Sequence, residues 1–309
     1  MTNTLLTLRF NTQAQLDISR ITRELTDLQR QVATGYKSNE IAGYGVGASR
    51  LLNARGLVEI AESRANSALQ LESRFGVQAS ALGQAAGSAF NLAQAIRDAI
   101  SGDDVNALST ELTVSFSSAL SAFNETWNGQ PLFAGERLTG SPVKITSIAE
   151  LMAATGPQDI YNEAEREQII DLGPGARLAM AEKASELSTD LFDQFKALQT
   201  MVNTWGGTLP ESLSATERQN LQQIAQNLDR ARDKLTGAEG RAGQLERRIT
   251  EERTRLTARS TLLQKEVGDM SGADIGELTI QINTLLVQYE ATAKTFADIS
   301  DLSLVDYLR

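Results

Sequence analysis

The sequence of 309 residues contains no cysteine and no histidine. Ser-His and Cys-His nucleophilic systems and ordinary zinc sites each need one of these residues, so their absence excludes the commonest hydrolases and zinc enzymes. Disulfides are also excluded. The lack of cysteine suits a protein that crosses a membrane unfolded and works outside the cell, where free thiols oxidise.

Proline and aromatic residues are scarce, at five prolines and 5% aromatics. Ala, Leu, Gln, Glu and Arg dominate, which is the bias of long helices and coiled coils. At 41% hydrophobic residues the chain has enough apolar content for a core. This composition predicts an all-α protein with a small insertion.

Long apolar runs and excess positive charge are both missing. No stretch of about 18 apolar residues is present, so we expect no membrane span. The first residues, MTNTLLTLRFNTQ, lack the basic and apolar regions of a cleaved signal peptide. The formal charge of −10 disfavours a nucleic-acid partner, because phosphates repel an acidic surface.

Carboxylate pairs are the remaining candidates for acid-base chemistry. Examples are Glu163 with Glu165 and Glu251 with Glu252. Neighbouring or alternate positions on a helix point to different faces, so these groups are interpreted as solvated charges. We therefore expect no enzyme activity, no cofactor and no metal.

Apolar residues recur at heptad-like spacing near the start of the sequence and again near its close. The first stripe is Phe10, Ala14, Ile18, Ile21, Leu25, Leu28 and Val32. The second is Ile275, Leu278, Ile282, Leu285, Tyr289, Ala293, Phe296 and Ile299. Each stripe predicts a helix that packs on another helix, so the two terminal segments are expected to pair.

Between these stripes the pattern predicts further long helices. They cover residues 50–100, 104–127 and 183–205, and a run from Ser214 to about 267. Asp103 or Asp104 is a candidate N-cap, and Ser214 with Glu217 forms a capping box. Four glycines between residues 33 and 49 predict a turn or irregular chain there.

The stretch NGQPLFAGERLTGSP at 128–142 interrupts the helical pattern. Gly135 lets the backbone leave a helix bundle, while Leu132 and Phe133 can plug it. The following region to about 180 contains the alternating VKITSI and the turn Gly173-Pro174-Gly175, which together predict a small insertion with strands.

Three segments resemble the flagellin superfamily, and in particular its hook-filament junction branch. They are LQRQVATGYK at 28–37, NGQPLFAGERLTGSPV at 128–143 and YEATAKTFADISDLSLVDYL at 289–308. The stretch LGPGARLAMAEKASELSTDLFDQFKALQTM also resembles the family's re-entry into the helix bundle. Two departures are Pro131, which replaces an aromatic-type neighbour, and SNEIAGYGVGAS, which has a single acid.

The resemblance implies a mainly α fold. Its N- and C-terminal halves would form a long antiparallel bundle or coiled coil, with a β-hairpin and a small inserted outer domain. The implied domains are residues 1–40 with 270–309 for assembly, 41–140 with 180–269 for the bundle core, and 141–179 for the outer domain. We further expect the terminal helices to be unfolded in the free subunit and to fold on assembly.

The resemblance also implies a structural role at the hook-filament junction of the bacterial flagellum. The implied partners are further copies in a helical ring, a neighbouring hook-associated protein, flagellin, and an export apparatus with its chaperone. Export would proceed without a cleaved signal peptide to an extracellular site. The expected hairpin anchors are Leu132, Phe133 and Gly135, and the expected interface residues are Phe10, Ile18, Ile21, Leu25, Leu28, Leu278, Ile282, Leu285, Tyr289, Phe296, Leu302 and Leu304.

Two other functions fit parts of the same pattern. A filament subunit, flagellin itself, would carry the same paired termini. A cytoplasmic signalling coiled coil would account for the heptads, but not for the break at 128–142.

Overall fold

The computed structural model describes the backbone of residues 2–102, 106–171, 177–179, 182–206, 210 and 213–307, and side chains within 12–102, 107–169, 182–206, 210 and 213–298. Eight α-helices lie in the described parts: α1 Thr2–Thr34, α2 Ala48–Gly102, α3 Asn106–Phe123, α4 Ile148–Ala153, α5 Pro157–Ile160, α6 Ala184–Thr204, α7 Ala215–Ser271 and α8 Ile275–Tyr307. A 3-10 helix spans Ile41–Gly47. The strands are β1 Thr126–Trp127, β2 Gln130–Pro131, β3 Ile169–Asp171 and β4 Arg177–Ala179. The prediction of a mainly α fold with a hairpin is confirmed.

The chain divides into two compact units. The terminal unit contains Met1–Arg64 and Arg255–Arg309, and the central unit contains Ala65–Thr254. Helices α2 and α7 each contribute residues to both units. This division comes from contacts within the chain, and the three-part domain arrangement expected from the resemblance stays a prediction.

In the terminal unit, α1 and α8 pack along each other. The two helices have the same length, 33 residues each. The first turns of α2 and the last turns of α7 form a second, antiparallel pair, in which Arg50 bonds Glu266 and Ser260 donates to Glu62. Leu51, Ala54 and Ala61 are the buried side of α2 there.

The central unit holds a continuous apolar core. Helices α2, α3, α6 and α7 supply most of it, and six phenylalanine side chains are completely buried within the unit: Phe75, Phe116, Phe123, Phe133, Phe192 and Phe195. Phe192 contacts four other rings, with centroid distances of 6.0 to 6.3 Å. Such clusters contribute more than their buried area alone, because the ring quadrupoles attract at tilted and edge-on geometries.

Segment 143–161 contributes to that same core. Val143, Ile145, Leu151 and Tyr161 are all buried in the cluster. The alternating VKITSI predicts a strand, but the residues form none, and Val143 makes only an isolated bridge with Tyr161. The short helices α4 and α5 follow instead, and their N-cap residues are Ser147 and Gly156.

The predicted helix over 104–127 ends earlier, at Phe123. Asn124 leaves the helix because its side chain bonds the backbone of Val143 twice, accepting from its N–H at 2.9 Å and donating to its carbonyl at 3.1 Å. The candidate caps Asp103 and Asp104 and the turn Gly173-Pro174-Gly175 lie outside the described residues.

Candidate assembly surface and hairpin anchor

A backbone clamp joins the end of α1 to the start of α8. The Ala273 N–H donates to the Gly35 carbonyl at 2.9 Å, and the Lys37 N–H donates to the Ser271 carbonyl at 2.9 Å. Tyr36 and Gly272 form an antiparallel bridge between these two bonds. Gly35 has φ +71°, a left-handed conformation that favours glycine, and it ends α1 by bonding back to Gln31.

The clamp lies at one end of the contact between α1 and α8, which we call the seam. Ile21 and Leu278 are buried in this seam, at 2% and 6% exposure. Six other predicted interface residues are half-buried: Ile18, Leu25, Leu28, Ile282, Leu285 and Phe296. Tyr289 is exposed at 38%, and the side chains of Phe10, Leu302 and Leu304 lie outside the described residues.

The seam leaves an open groove between the two helices, which we call the terminal groove. It has a volume of about 470 Å³ and is lined by Glu24, Asp27, Leu28, Ile280, Gln281, Thr284 and Leu285. Its floor is aliphatic and its α1 wall carries two carboxylates. Each carboxylate bonds an arginine on its own helix, Glu24 with Arg20 and Asp27 with Arg30.

Helix α8 also presents an apolar face that the pairing with α1 leaves uncovered. Ile280 and Val287 are exposed at 69% and 66%. They are seven residues apart and therefore lie on one helix face. The sequence alone does not distinguish these two residues, because their exposure depends on where α1 packs against α8.

The break at 128–142 begins with a tight hairpin, and two buried apolar residues, Leu132 and Phe133, follow it directly. We call these two residues the hairpin plug. Thr126 pairs with Pro131 and Trp127 with Gln130, while Asn128 and Gly129 take φ values of 49° and 76° in the turn. The Asn-Gly pair is the usual choice where two consecutive residues need positive φ. This places the two strands of the hairpin immediately before Leu132 and Phe133.

Leu132 and Phe133 are both buried, at 2% and 0% exposure. The Phe133 ring packs edge-on to Phe123, with centroids 5.9 Å apart, and its carbonyl accepts from Ala184 N–H at 2.9 Å. Gly135 follows with φ +64°, and a Cβ there would lie 2.4 Å from the Arg166 carbonyl oxygen. The role of these three residues as hairpin anchors stays a prediction, and the bond from Ala184 also joins this stretch to the first residue of α6.

One of the candidate carboxylates, Glu163, has a clear structural role. Glu163 accepts from the Ser185 N–H at 3.0 Å and from the Ser185 hydroxyl, and so holds the first turn of α6. Glu251 and Glu252 lie within α7. Within the described residues no group of His, Cys, Asp and Glu is arranged to hold a metal ion.

Buried polar groups shift their pKa values in the central unit. Burial raises the pKa of the Tyr161 phenol, whose hydroxyl lies 2.9 Å from the Ser188 hydroxyl. Burial lowers the pKa of the Arg74 guanidinium, which donates to Gln168 at 2.8 Å. Both groups sit in the packed interior and tie segment 161–168 to the helices. Among the helices as described, none is long and apolar enough to cross a membrane.

These features define a mainly α protein whose α1 and α8 are clamped at one end and keep apolar surface uncovered. Residues 215–308, which cover α7 and α8, match the family described as the bacterial flagellin C-terminal helical region. This match agrees with the resemblance to the flagellin superfamily seen in the sequence at 289–308.

Solved structures show the same fold. A protein assigned as a flagellar hook-associated protein of Vibrio parahaemolyticus superposes with a TM-score of 0.60 at 14% identity, covering 75% of this chain and 99% of its own. FlgL of Bacillus cereus superposes with a TM-score of 0.52 at 12% identity, covering 70% of this chain and 97% of its own. No curated protein matches the sequence.

Proposed function

We propose that this protein is a structural subunit of the bacterial flagellum that joins the hook to the flagellin filament. The observation that carries the proposal is the pair α1 and α8, which is held by a clamp yet leaves Ile280, Val287 and the terminal groove uncovered. A surface of this kind is typical of a subunit whose burial is completed by neighbours. The fold shared with a hook-associated protein and with FlgL supports the junction role.

In this role the protein acts by packing and not by catalysis. Its partners are further copies of itself in a helical ring, a hook-associated protein on one side and flagellin on the other. The subunit reaches this extracellular site through the flagellar export apparatus, with an export chaperone. The absence of cysteine is consistent with this route, because no thiol can oxidise during or after export.

A second candidate function is that of the filament subunit. It is favoured by the match of residues 215–308 to the flagellin C-terminal region. Junction protein and filament subunit share the paired α1 and α8, so number and position in the flagellum distinguish them. A cytoplasmic signalling coiled coil accounts less well for the buried hairpin plug at Leu132 and Phe133.

Labelling of sheared flagella with an antibody tests the proposal. We expect label at the hook end of each filament only, together with bare hooks and free flagellin in a strain that lacks the protein. Label along the whole filament would instead identify a filament subunit. Absence from the flagellar fraction would contradict both functions.

A further inference from the structure

A second surface of the terminal unit lies on α2. It is complementary to the terminal groove in shape and in charge. Leu52, Gly56, Ile60 and Arg64 follow one another at four-residue spacing, so they form a continuous ridge on one helix face. We call this set the outer ridge. It lies away from the buried side of α2, and Leu52 and Ile60 are each 50% exposed.

The outer ridge combines aliphatic knobs with one available positive charge. Gly56 separates Leu52 from Ile60, and no atom lies within 4 Å of the position that its Cβ would occupy, so another helix can approach closely there. Arg64, one turn beyond Ile60, is exposed and has no ion-pair partner among the described residues.

The terminal groove offers the complementary features. Its floor is formed by the half-buried Leu28 and Leu285, and Ile280, which is 69% exposed, also lines it. The volume of about 470 Å³ is more than one side chain fills. Glu24 and Asp27 supply negative charge along one wall. Their present partners are exposed arginines, and exposed pairs contribute only about 0–1 kcal/mol each, so an incoming arginine can share these carboxylates.

We propose that the outer ridge of one copy docks in the terminal groove of the next. Ile60 and Leu52 fill the aliphatic floor, while Arg64 lies against Glu24 and Asp27. Both surfaces are exposed in the same chain, so neither covers the other, and the occupant must be another molecule. Ridge and groove differ, so the contact is head-to-tail and generates a ring or a helix of subunits. This inference rests on the proposed function, since it names the contact by which the subunits associate.

Cysteine cross-linking tests the contact, because the natural chain has no cysteine of its own. The test variant carries Ile60→Cys and Thr284→Cys in one full-length chain. The control carries Leu69→Cys and Thr284→Cys, since Leu69 lies on the same helix and is equally exposed, at 51%. Flagella isolated from cells producing each variant are treated with a short bismaleimide and separated under denaturing conditions.

We expect the 60/284 variant to give a ladder of dimers and higher oligomers, at least about tenfold above the control, because each copy has both halves of the contact. Ile60→Cys alone should give no dimer. Adding Arg64→Glu to the 60/284 variant should lower the yield roughly tenfold, because it places a third negative charge at the groove wall. Glu24→Arg with Asp27→Arg should then restore it.

Other outcomes overturn the inference in distinguishable ways. A protein located at the flagellum with 60/284 cross-linking no stronger than the control would refute the contact and leave the proposed function standing. Dimers from Ile60→Cys alone, or cross-links to a different protein only, would also refute it. A protein absent from the flagellum would remove both proposals.

Discussion

The amide of Ala273 donates to the carbonyl of Gly35 across 2.9 Å, and this bond places the start of α8 beside the end of α1. With the neighbouring bond from Lys37 to Ser271, it fixes an antiparallel register. The same register brings Glu24 and Leu28 of α1 beside Ile280, Thr284 and Leu285 of α8, which together line the terminal groove. Two backbone bonds thus determine which side chains line the candidate surface.

The clamp should be sensitive to a methyl group at Gly272. A Cβ there would lie 2.8 Å from the Gly268 carbonyl oxygen, so the backbone must shift. We expect Gly272→Ala to destabilise the terminal unit by about 1–3 kcal/mol, the usual cost of overpacking. Gly268→Ala is the matched control, because its Cβ would meet nothing within 4 Å, and alanine should stabilise the helix by about 0.5–1 kcal/mol. Urea unfolding followed by circular dichroism compares the two, and equal midpoints would show that the clamp is not tightly packed.

The hairpin plug should be a major source of stability in the central unit. We expect Phe133→Ala to cost about 3–5 kcal/mol, because a completely buried ring leaves a cavity among other rings. Phe90→Ala serves as control, since Phe90 is 45% exposed and loses mainly its contact with the Arg232 guanidinium, worth below about 1 kcal/mol. Thermal melts of both variants measure the difference, and a Phe133→Ala protein as stable as Phe90→Ala would contradict the plug.

The stability of the connection between α6 and α7 should depend on pH through the Glu217 carboxyl. Bonds from the Ser214 hydroxyl, the Ser214 N–H and the Trp205 indole lower the pKa of its carboxyl. Because the folded pKa is depressed, this stabilisation is complete above the ordinary glutamate pKa of about 4.3 and is lost as pH falls through the lower, folded value.

Trp205 fluorescence reports that transition. In a Trp127→Phe background the remaining tryptophan should change its emission as the solution is acidified below that ordinary value. Adding Glu217→Gln should give the altered emission already at neutral pH and flatten the acid titration. An unchanged titration in the Gln variant would mean that another carboxyl is responsible.

The two terminal helices should be far less protected in the free subunit than the central unit. Of their described side chains, few are as buried as Ile21 and Leu278, whereas the central unit encloses a continuous core. We expect brief proteolysis of dilute monomer to remove most of α1 and α8 and leave a stable fragment that retains residues 65–254. The same protein in isolated flagella should resist cleavage. Intact α1 and α8 in dilute monomer would show that the pair folds without neighbours.

Sequence periodicity was sufficient for the long helices, because a stripe of apolar residues at 3.6-residue spacing has few other solutions. The sequence also predicts the capping box at Ser214, and both of its bonds are present: Ser214 N–H donates to the Glu217 carboxylate, and Glu217 N–H donates to the Ser214 hydroxyl. The pairing of α1 with α8 followed from two stripes that each needed a partner. These features depend on residues close in sequence or on simple matching of apolar faces.

Features that depend on distant partners could not be predicted in this way. Asn124 continues an amphipathic pattern, and only its bonds to Val143 show why the helix stops before it. VKITSI alternates like a strand because Val143 and Ile145 face the core, yet among the described residues its pairing is limited to a single bridge. Ile280 and Val287 look like ordinary helix residues until the position of α1 shows that they remain uncovered.

The clamp also has a consequence for incomplete chains. Lys37 and Met270, whose side chain and backbone meet at the clamp, are separated by 233 positions in sequence. Synthesis produces α1 first, but its partner α8 comes only after nearly every other residue has been added. A chain that stops before residue 270 lacks one half of the clamp and one wall of the groove. In the proposed assembly, a prematurely terminated product would therefore lack the surface on which another copy is added.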